Sequence, residues 1–196
     1  MNNVHLILGG ARSGKSAYAE KLATASGLPV TYIATAQVYD KEFGQRVEHH
    51  RNRRPSHWHT IEQSFHLGQA LQQHAAAGKC LIVDCLTLWL AQCICPDCER
   101  PENLNWQDER SGLLNALSQL PGMILLVSNE VGMGIVPLGE INRQFQDEQG
   151  RRRCSRYPGE PHPRRKIARR AEPYGRPAFR RVPARAGRIS VLVLYL

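Results

Sequence analysis

The sequence predicts an α/β fold in which a parallel sheet carries helices on both faces. Short apolar runs typical of strands alternate with helix-like segments along the first 150 residues. Two of these runs, 80–84 (CLIVD) and 123–128 (MILLVS), are apolar up to their last residue, as expected for strands buried on both faces. A glycine-rich loop joins the first run to the first helical segment. This alternation is typical of parallel strands connected by helices.

The individual elements follow from these patterns in chain order. The predicted strands are 4–8, 30–34, 80–84, 123–128 and, in the last part of the sequence, 189–196. The predicted helices are 16–27, 39–53, 65–78, 86–95, 106–119 and a last one from about 138 towards 149. Gly27 ends the first helix, because glycine readily takes the left-handed conformation of a helix terminus. Pro55 ends the second, because the residue before a proline avoids helical geometry.

Charge divides the chain into two parts. Residues 1–150 hold 12 Lys and Arg against 15 Asp and Glu, a net charge of −3, whereas residues 151–196 hold 14 against 2, a net charge of +12. We therefore predict a main domain over 1–150 and an atypical tail over 151–196. An acidic main domain has no electrostatic basis for binding nucleic acid. The tail has 13 arginines and 6 prolines within 151–188, which predicts an irregular or disordered chain.

Other classes of protein are disfavoured by composition. No apolar run approaches the roughly 18 residues of a membrane span, and the N-terminus lacks a signal-peptide pattern, so we predict a cytoplasmic protein. Cys80 and Cys85 flank an apolar run, where reduced core cysteines are common. Cys93, Cys95 and Cys98 form C-x-C-x-x-C, but no second Cys or His pair follows at zinc-finger spacing. The cysteines are therefore weak evidence for a zinc site.

A phosphate-binding loop is the first pattern that carries chemistry. Residues 9–16, GGARSGKS, have the form G-x-x-x-x-G-K-S between a strand and a helix. Backbone N–H groups of such a loop surround phosphate oxygens, and the helix N-terminus adds partial positive charge. Lys15 would reach the outer phosphates, and the Ser16 hydroxyl would bind Mg²⁺. The pattern predicts a P-loop NTPase-like fold and a nucleoside triphosphate site formed by Gly9, Gly10, Ala11, Arg12, Ser13, Gly14, Lys15 and Ser16.

Asp84 and the histidine pair are further candidates. Asp84 ends a predicted parallel strand, where a magnesium- or ribose-binding group belongs, although it would also suit the N-cap of the following helix. Residues 46–55, RVEHHRNRRP, place two histidines among four arginines. A neutral imidazole can attack phosphorus, and nearby arginines would favour the neutral form and stabilise charge on phosphoryl oxygens. By this chemistry His49 and His50 are equally suited, and a solvated helix end is the alternative.

Five motifs in a fixed order indicate a family. They are GGARSGKS, YIATA (32–36), RVEHHRNRRP, VDCLTLW (83–89) and SNEVGMGIVP (128–137). Over about residues 4–150 the chain resembles the bifunctional adenosylcobinamide kinase / adenosylcobinamide-phosphate guanylyltransferase family of cobalamin biosynthesis. The resemblance implies phosphorylation of adenosylcobinamide and then transfer of GMP from GTP through a histidine–GMP intermediate. It also implies GTP and ATP as substrates, Mg²⁺ as cofactor and a homotrimer.

The resemblance also implies roles for single residues. The family pattern R-[IV]-x-x-H-x-x-x-R selects His50 as the nucleophile, with Lys15 as the second catalytic residue and His49 as a neighbour. The further nucleotide-binding residues it implies are Ala34, Thr35, Ala36, Arg51, Asn52, Arg53, Arg54, Glu62 and Asp84. Glu62 would otherwise be an ordinary surface acid, and Glu130 is a looser candidate for positioning magnesium or water.

The last quarter of the chain departs from the family. After 147–150 its members usually continue with a helix and a final strand, whereas this chain becomes rich in arginine and proline. A GC-rich reading frame shifted by one base produces such a composition, so we hypothesise that residues 151–196 are a frameshift product. The alternative is a genuine basic extension that binds nucleic acid or an acidic partner. For the main domain, the alternative function is a P-loop small-molecule kinase without guanylyl transfer, against which the two histidines argue.

Overall fold

The computed structural model describes residues 3–38, 40–96, 98–132, 137, 139–154, 178–182 and 189–195. The strands within these residues are β1 Asn3–Gly9, β2 Val30–Ala34, β3 His59–Glu62, β4 Cys80–Asp84, β5 Met123–Asn129, β6 Ala178–Val182 and β7 Ile189–Tyr195. The helices are α1 Lys15–Ser26, α2 Lys41–Asn52, α3 Leu67–His74, α4 Leu86–Ile94, α5 Trp106–Leu117 and α6 Glu140–Cys154.

The strands form one sheet in the order β3-β2-β4-β5-β1-β7-β6. All neighbouring strands from β3 to β7 pair in parallel, and β6 pairs antiparallel to β7 at the edge. The five strands of the main domain are contiguous in this order, which confirms the predicted parallel sheet. Because they are parallel, β1, β2, β4 and β5 all end at the same edge of the sheet, and the loops that follow them meet there.

Helices cover both faces of the sheet, as predicted. Alternate residues of a strand point to opposite faces. Leu81 and Val83 of β4 lie in a buried cluster with residues of α3, α4 and α5, such as Trp89. Cys80 and Ile82 belong to a second buried cluster, which includes residues of α1 such as Ala19. Each face of the sheet is thus packed against its own apolar layer, which holds the strand ends in place.

Most predicted elements are confirmed, and three differ. The short strand β3 was not predicted, because only its two middle residues are shielded and no apolar run marks it. The helix α6 continues to Cys154, past the predicted end near 149. In the tail, the predicted strand is confirmed over Ile189–Tyr195, but the structure adds β6. The composition of residues 151–188 therefore failed to predict the extended structure of β6.

A buried hydrogen bond connects α6 to α5. The indole N–H of Trp106 on α5 donates to Oε2 of Glu148 on α6 at 2.8 Å, and both residues are buried. This bond ties α6 to the core near the point where the sequence becomes rich in arginine and proline.

Among the helices of the described ranges, none combines the length and the apolar character needed to cross a membrane.

Candidate nucleotide-binding site

The phosphate loop has the backbone shape that its glycines predict. Gly14, at the N-cap of α1, has φ of 80° and Arg12 has φ of 58°, both in the left-handed region that favours glycine. Lys15 begins α1 and is buried, and its ammonium donates to the carbonyl oxygen of Gly10 at 2.6 Å and to Oγ of Ser13 at 3.4 Å. The loop therefore closes around the lysine head group.

Burial dominates the electrostatics of Lys15. Removal from water lowers the pKa of its ammonium below the usual value, while the neighbouring Cys85 and Asp84 oppose that change. A cation held in this way lacks a full counter-charge, so an anion that entered the loop would meet an incompletely compensated positive group. The arrangement suits phosphate oxygens.

A cleft of about 730 Å³ opens beside this loop. Three parts of the chain line it: the phosphate loop with the start of α1, one face of α2, and the ends of β4 and β5. The lining residues are Arg12, Ser13, Gly14, Lys15, Ser16, Ala17, Glu42, Gln45, His49, His50, Arg53, Asp84, Cys85, Val127 and Asn129. The structure thus brings both histidines to the phosphate loop, although more than 30 residues separate them from it in sequence.

The helix α2 carries both histidines in its last turn. It begins after Asp40, whose carboxylate accepts a hydrogen bond from the N–H of Phe43 at 2.7 Å, a typical N-cap contact. The rings of His49 and His50 are 6.4 Å apart and nearly perpendicular. Nδ1 of His50 is buried and has no hydrogen-bond partner among the described residues.

Two ion pairs tie the end of α2 to its surroundings. Nη2 of Arg51 donates to Oε1 of Glu62 on β3 at 2.5 Å, and Nη2 of Arg53 donates to Oε2 of Glu20 on α1 at 2.9 Å. Arg51 and Glu62 are both largely exposed, so this pair adds little stability. Together the two pairs restrict where the helix end lies. Arg51 and Arg53 thus help to position the histidines, and Arg53 also lines the cleft.

Asp84 lies at the carboxyl end of β4 and faces the cleft. Its Oδ2 accepts a hydrogen bond from the hydroxyl of Tyr32 at 2.5 Å. The N-cap of α4 is Cys85, which makes no side-chain cap bond, so the alternative of Asp84 as N-cap is wrong. The hydroxyl of Thr35 donates to the carbonyl oxygen of Cys85 and accepts from its N–H, both at 2.8 Å. Thr35 therefore fixes the backbone immediately after Asp84.

A buried polar network fixes the end of β5. The N–H of Asn129 donates to the Thr87 hydroxyl at 2.7 Å, and its carbonyl accepts from the amide of Gln149 at 3.0 Å. The N–H of Glu130 then donates to the carbonyl oxygen of Gly9 at 2.8 Å. These bonds connect α4, α6 and β5 to the first residue of the phosphate loop, and they hold Asn129 at the cleft.

Several predicted site residues lie away from the cleft. Thr35 is fully buried, and Ala34 supplies a carbonyl to the N–H of Gln63. Arg51 and Glu62 pair with each other on the outside of α2 and β3. The other predicted residues that do not line the cleft are Gly9, Gly10, Ala11, Ala36, Asn52 and Arg54. Their contact with a nucleotide remains a prediction.

Sequence reasoning missed six residues that line the cleft, among them the apolar Ala17 and Val127, and one residue that supports it. Glu42 and Gln45 precede His49 by seven and four positions, which is helical spacing on one face, so this signal was present. Asn129 ends β5 as Asp84 ends β4, and the same strand-end argument applies to it. Cys85 and the supporting Tyr32 had no signal, because an apolar run makes each look like a core residue.

A second cleft of about 700 Å³ lies at the opposite, amino end of β2. It includes no predicted site residue; its aromatic and basic members are His57, Trp58, His59, His74 and Lys79. Across the described part of the chain, no group of three or more His, Cys, Asp or Glu is arranged to hold a metal ion. The C-x-C-x-x-C pattern therefore has no complete metal site among these residues.

A parallel sheet with a G-x-x-x-x-G-K-S loop between β1 and α1 defines a P-loop α/β protein. The sequence profile of the cobinamide kinase / cobinamide phosphate guanyltransferase family matches residues 5–155, and the chain belongs to this family. It is 56% identical over 145 residues to the bifunctional adenosylcobalamin biosynthesis protein CobP of Pseudomonas aeruginosa, covering 74% of this chain and 82% of that protein.

Two further relatives match the chain at lower sequence identity. Over 155 residues the chain is 37% identical to the bifunctional adenosylcobalamin biosynthesis protein CobU of Escherichia coli and 36% identical to that of Salmonella typhimurium. Each match covers 74% of this chain and 85% of the relative. The family predicted from the five motifs is therefore confirmed, and with it a place in adenosylcobalamin biosynthesis.

Proposed function

We propose that this chain phosphorylates adenosylcobinamide and then transfers GMP from GTP to the product through a covalent intermediate on His50. The observation that supports both steps is that Lys15 and His50 line one cleft. A phosphate loop binds the triphosphate, and an imidazole beside it is a nucleophile for phosphorus. The name of the family gives the acceptor, cobinamide, and the donated group, guanylyl.

In the first step the acceptor's hydroxyl oxygen attacks the γ-phosphorus of the triphosphate, and the hydroxyl proton is released to water. The bond from that phosphorus to the bridging oxygen breaks, and the nucleoside diphosphate leaves. Lys15 exchanges its contacts with Gly10 and Ser13 for phosphate oxygens and offsets their charge. Because direct transfer requires mainly positioning and charge stabilisation, no covalent group on the protein is needed.

Mg²⁺ fits the oxygen donors that the cleft offers. The Ser16 hydroxyl and the Asp84 carboxylate both line it, and Mg²⁺ is commonly held by one or two such groups together with substrate phosphates. When bound, it would neutralise part of the charge on the phosphate oxygens. Our proposal assigns Ser16 and Asp84 to this role.

In the second step a histidine nitrogen attacks the α-phosphorus of GTP. A nitrogen–phosphorus bond forms and pyrophosphate leaves. A phosphate oxygen of adenosylcobinamide phosphate then attacks the same phosphorus, the nitrogen–phosphorus bond breaks, and adenosylcobinamide-GDP forms. We assign the attack to Nε2 of His50, because Nδ1 is buried. Arg53, which lines the cleft, would stabilise charge on the phosphoryl oxygens.

Labelled GTP tests this proposal. The protein is incubated with GTP labelled either at the α- or at the γ-phosphate, denatured and separated from free nucleotide. We expect only the α-phosphate to label the protein, on the peptide that contains His49 and His50. The label should be lost in acid and kept in alkali, as expected for a phosphoramidate. If α-labelled GTP leaves no label while adenosylcobinamide is still phosphorylated, the protein is a kinase without guanylyl transfer through a histidine.

The assembly and the location belong to the same proposal. We propose a homotrimer in the cytoplasm with its catalytic residues in a main domain over 1–150, as the resemblance implies. Light scattering coupled to size-exclusion chromatography measures the assembly, with three times the 22.1 kDa chain mass as the expected value. A monomeric mass with full activity would contradict the trimer and leave the chemistry unaffected.

A further inference from the structure

Tyr32 connects two sides of the candidate site without lining it. The residue is in the middle of β2 and is 1% exposed. Its hydroxyl donates to Oδ2 of Asp84 at 2.5 Å, and the guanidinium carbon of Arg54 lies 3.7 Å from the centre of its ring. Asp84 belongs to the wall beside Lys15, whereas Arg54 follows the helix that carries His50. One buried side chain therefore contacts one wall directly and, through Arg54, the segment that follows the helix of the other wall.

The contact with Asp84 has a fixed direction. The phenolic O–H of Tyr32 is the donor, and Oδ2 of the Asp84 carboxylate is the acceptor. With Oδ2 engaged, rotation of the carboxylate is restricted, and Oδ1 is the oxygen left for other partners. A hydrogen bond to a charged group is stronger than one between neutral groups.

The contact with Arg54 uses the ring face. A guanidinium within about 6 Å of an aromatic centroid is attracted by the negative face of the ring, more strongly when water is excluded. Nε of Arg54 is buried and has no hydrogen-bond partner among the described residues. The face of the Tyr32 ring is the contact that the structure shows for this guanidinium. Arg54 is two residues past the end of α2, so its anchorage limits movement of the helix end.

We propose that Tyr32 is a positioning residue of the nucleotide site, whose hydroxyl orients Asp84 and whose ring anchors Arg54 at the end of α2. The inference rests on the proposed function, because it treats Asp84 and His50 as the groups that meet the nucleotide. It adds that the two walls are held at a set separation through a residue that contacts no substrate. The two contacts use different atoms of Tyr32, so substitutions can separate them.

Tyr32→Phe removes only the hydroxyl, whereas Tyr32→Leu removes the ring as well. We expect Tyr32→Phe to weaken GTP binding roughly tenfold by calorimetry, the scale of losing one hydrogen bond to a charged group. Asp84→Ala should weaken it at least as much, and the Tyr32→Phe/Asp84→Ala double variant no further than Asp84→Ala alone. Tyr32→Leu should in addition slow the formation of the covalent GMP label. In Tyr32→Phe, the rate of label formation per bound nucleotide should stay near that of wild type.

The control is Tyr18→Phe, which removes a phenolic hydroxyl from α1 at a position that does not line the cleft, and thermal unfolding of each variant verifies folding. Equal GTP affinity in Tyr32→Phe and wild type would overturn the inference and leave the proposed function intact. Additive losses in the double variant would also overturn it, since the hydroxyl would then act independently of Asp84. Failure of the wild type to bind GTP would instead refute the proposed function. If Tyr32→Leu does not fold, the cycle of Tyr32→Phe and Asp84→Ala still decides the question.

Discussion

The ammonium of Lys15 donates a hydrogen bond to the carbonyl oxygen of Gly10, 2.6 Å away, within the phosphate loop itself. The loop thus holds its lysine in place. The bond also shows what a triphosphate must displace. Because burial lowers the pKa of this lysine, its charged form is disfavoured in the folded protein, and phosphate oxygens would relieve that cost.

Lys15→Met should abolish binding of the triphosphate without destabilising the fold. The pKa of Lys15 is lower in the folded protein than in the unfolded chain. At a pH below the folded pKa, the lysine is charged in both states and its buried charge destabilises the fold. This cost disappears as the pH rises from the folded to the unfolded pKa. At pH 7 we therefore expect a melting temperature at or above that of wild type. GTP titration by calorimetry and thermal unfolding measure the two effects.

Lys21→Met is the matched control for Lys15, since Lys21 is exposed on the same helix. It should bind GTP as wild type does. Native GTP affinity in Lys15→Met would refute the assignment of the loop.

His50→Ala should eliminate the covalent GMP intermediate and guanylyl transfer, because a methyl group has no nitrogen to attack phosphorus. Phosphorylation of adenosylcobinamide should survive in part, since direct transfer depends on positioning and on Lys15. Label from α-labelled GTP measures the first effect, and the appearance of adenosylcobinamide phosphate measures the second.

His49→Ala is the matched control for His50, as its ring lies 6.4 Å away in the same helical turn. It should keep the label, because the substitution changes local packing and not the nucleophile. Loss of label in His49→Ala with retention in His50→Ala would reassign the nucleophile. Retention in both would contradict a histidine mechanism.

Asp84→Asn should lower the Mg²⁺-dependent part of GTP affinity while leaving the fold near native. The amide keeps the size of the side chain and an acceptor for the Tyr32 hydroxyl, but it removes the negative charge. We expect a loss on the order of tenfold or more, the scale of one charged interaction. GTP titrations at several Mg²⁺ concentrations measure this loss of affinity. Glu102→Gln, at an exposed position, is the control. An equal loss with and without Mg²⁺ would argue against a magnesium role for Asp84.

Trp106→Phe should destabilise the fold by about 1–3 kcal/mol or more, because it leaves the buried Oε2 of Glu148 without its indole donor. Glu148→Gln should cost less, since an amide oxygen still accepts the bond. Urea unfolding followed by circular dichroism measures both free energies of unfolding. A larger loss in Glu148→Gln than in Trp106→Phe would show that the charge of Glu148, and not the indole bond, is what α6 requires.

Resequencing the coding region tests the frameshift hypothesis for residues 151–196. The family profile ends at residue 155, close to the point where arginine and proline become abundant. We expect another reading frame beyond this point to encode the helix and final strand usual in the family. A coding region without such a frame would refute the hypothesis and favour a genuine basic extension.

Local patterns were sufficient for the main features of this protein. Glycines at set spacing and a lysine at the start of a helix predict the phosphate loop, because backbone conformation there depends on neighbouring residues. Apolar runs predict β2, β4 and β5, since strands buried on both faces need them. Helical spacing and Pro55 placed the histidines on α2. The family followed from motifs that occur in a fixed order along the chain.

Tertiary structure decided which of these residues meet. Tyr32 reads as one more apolar strand residue, yet its hydroxyl bonds Asp84, 52 positions later, because β2 and β4 are neighbours in the sheet. Gln149 looks like a polar residue of an exposed helix, but it is buried against the backbone of Asn129. Such contacts depend on strand order and on which helix covers which face. Residues near each other in sequence do not encode that order, because it results from packing the whole chain around one core.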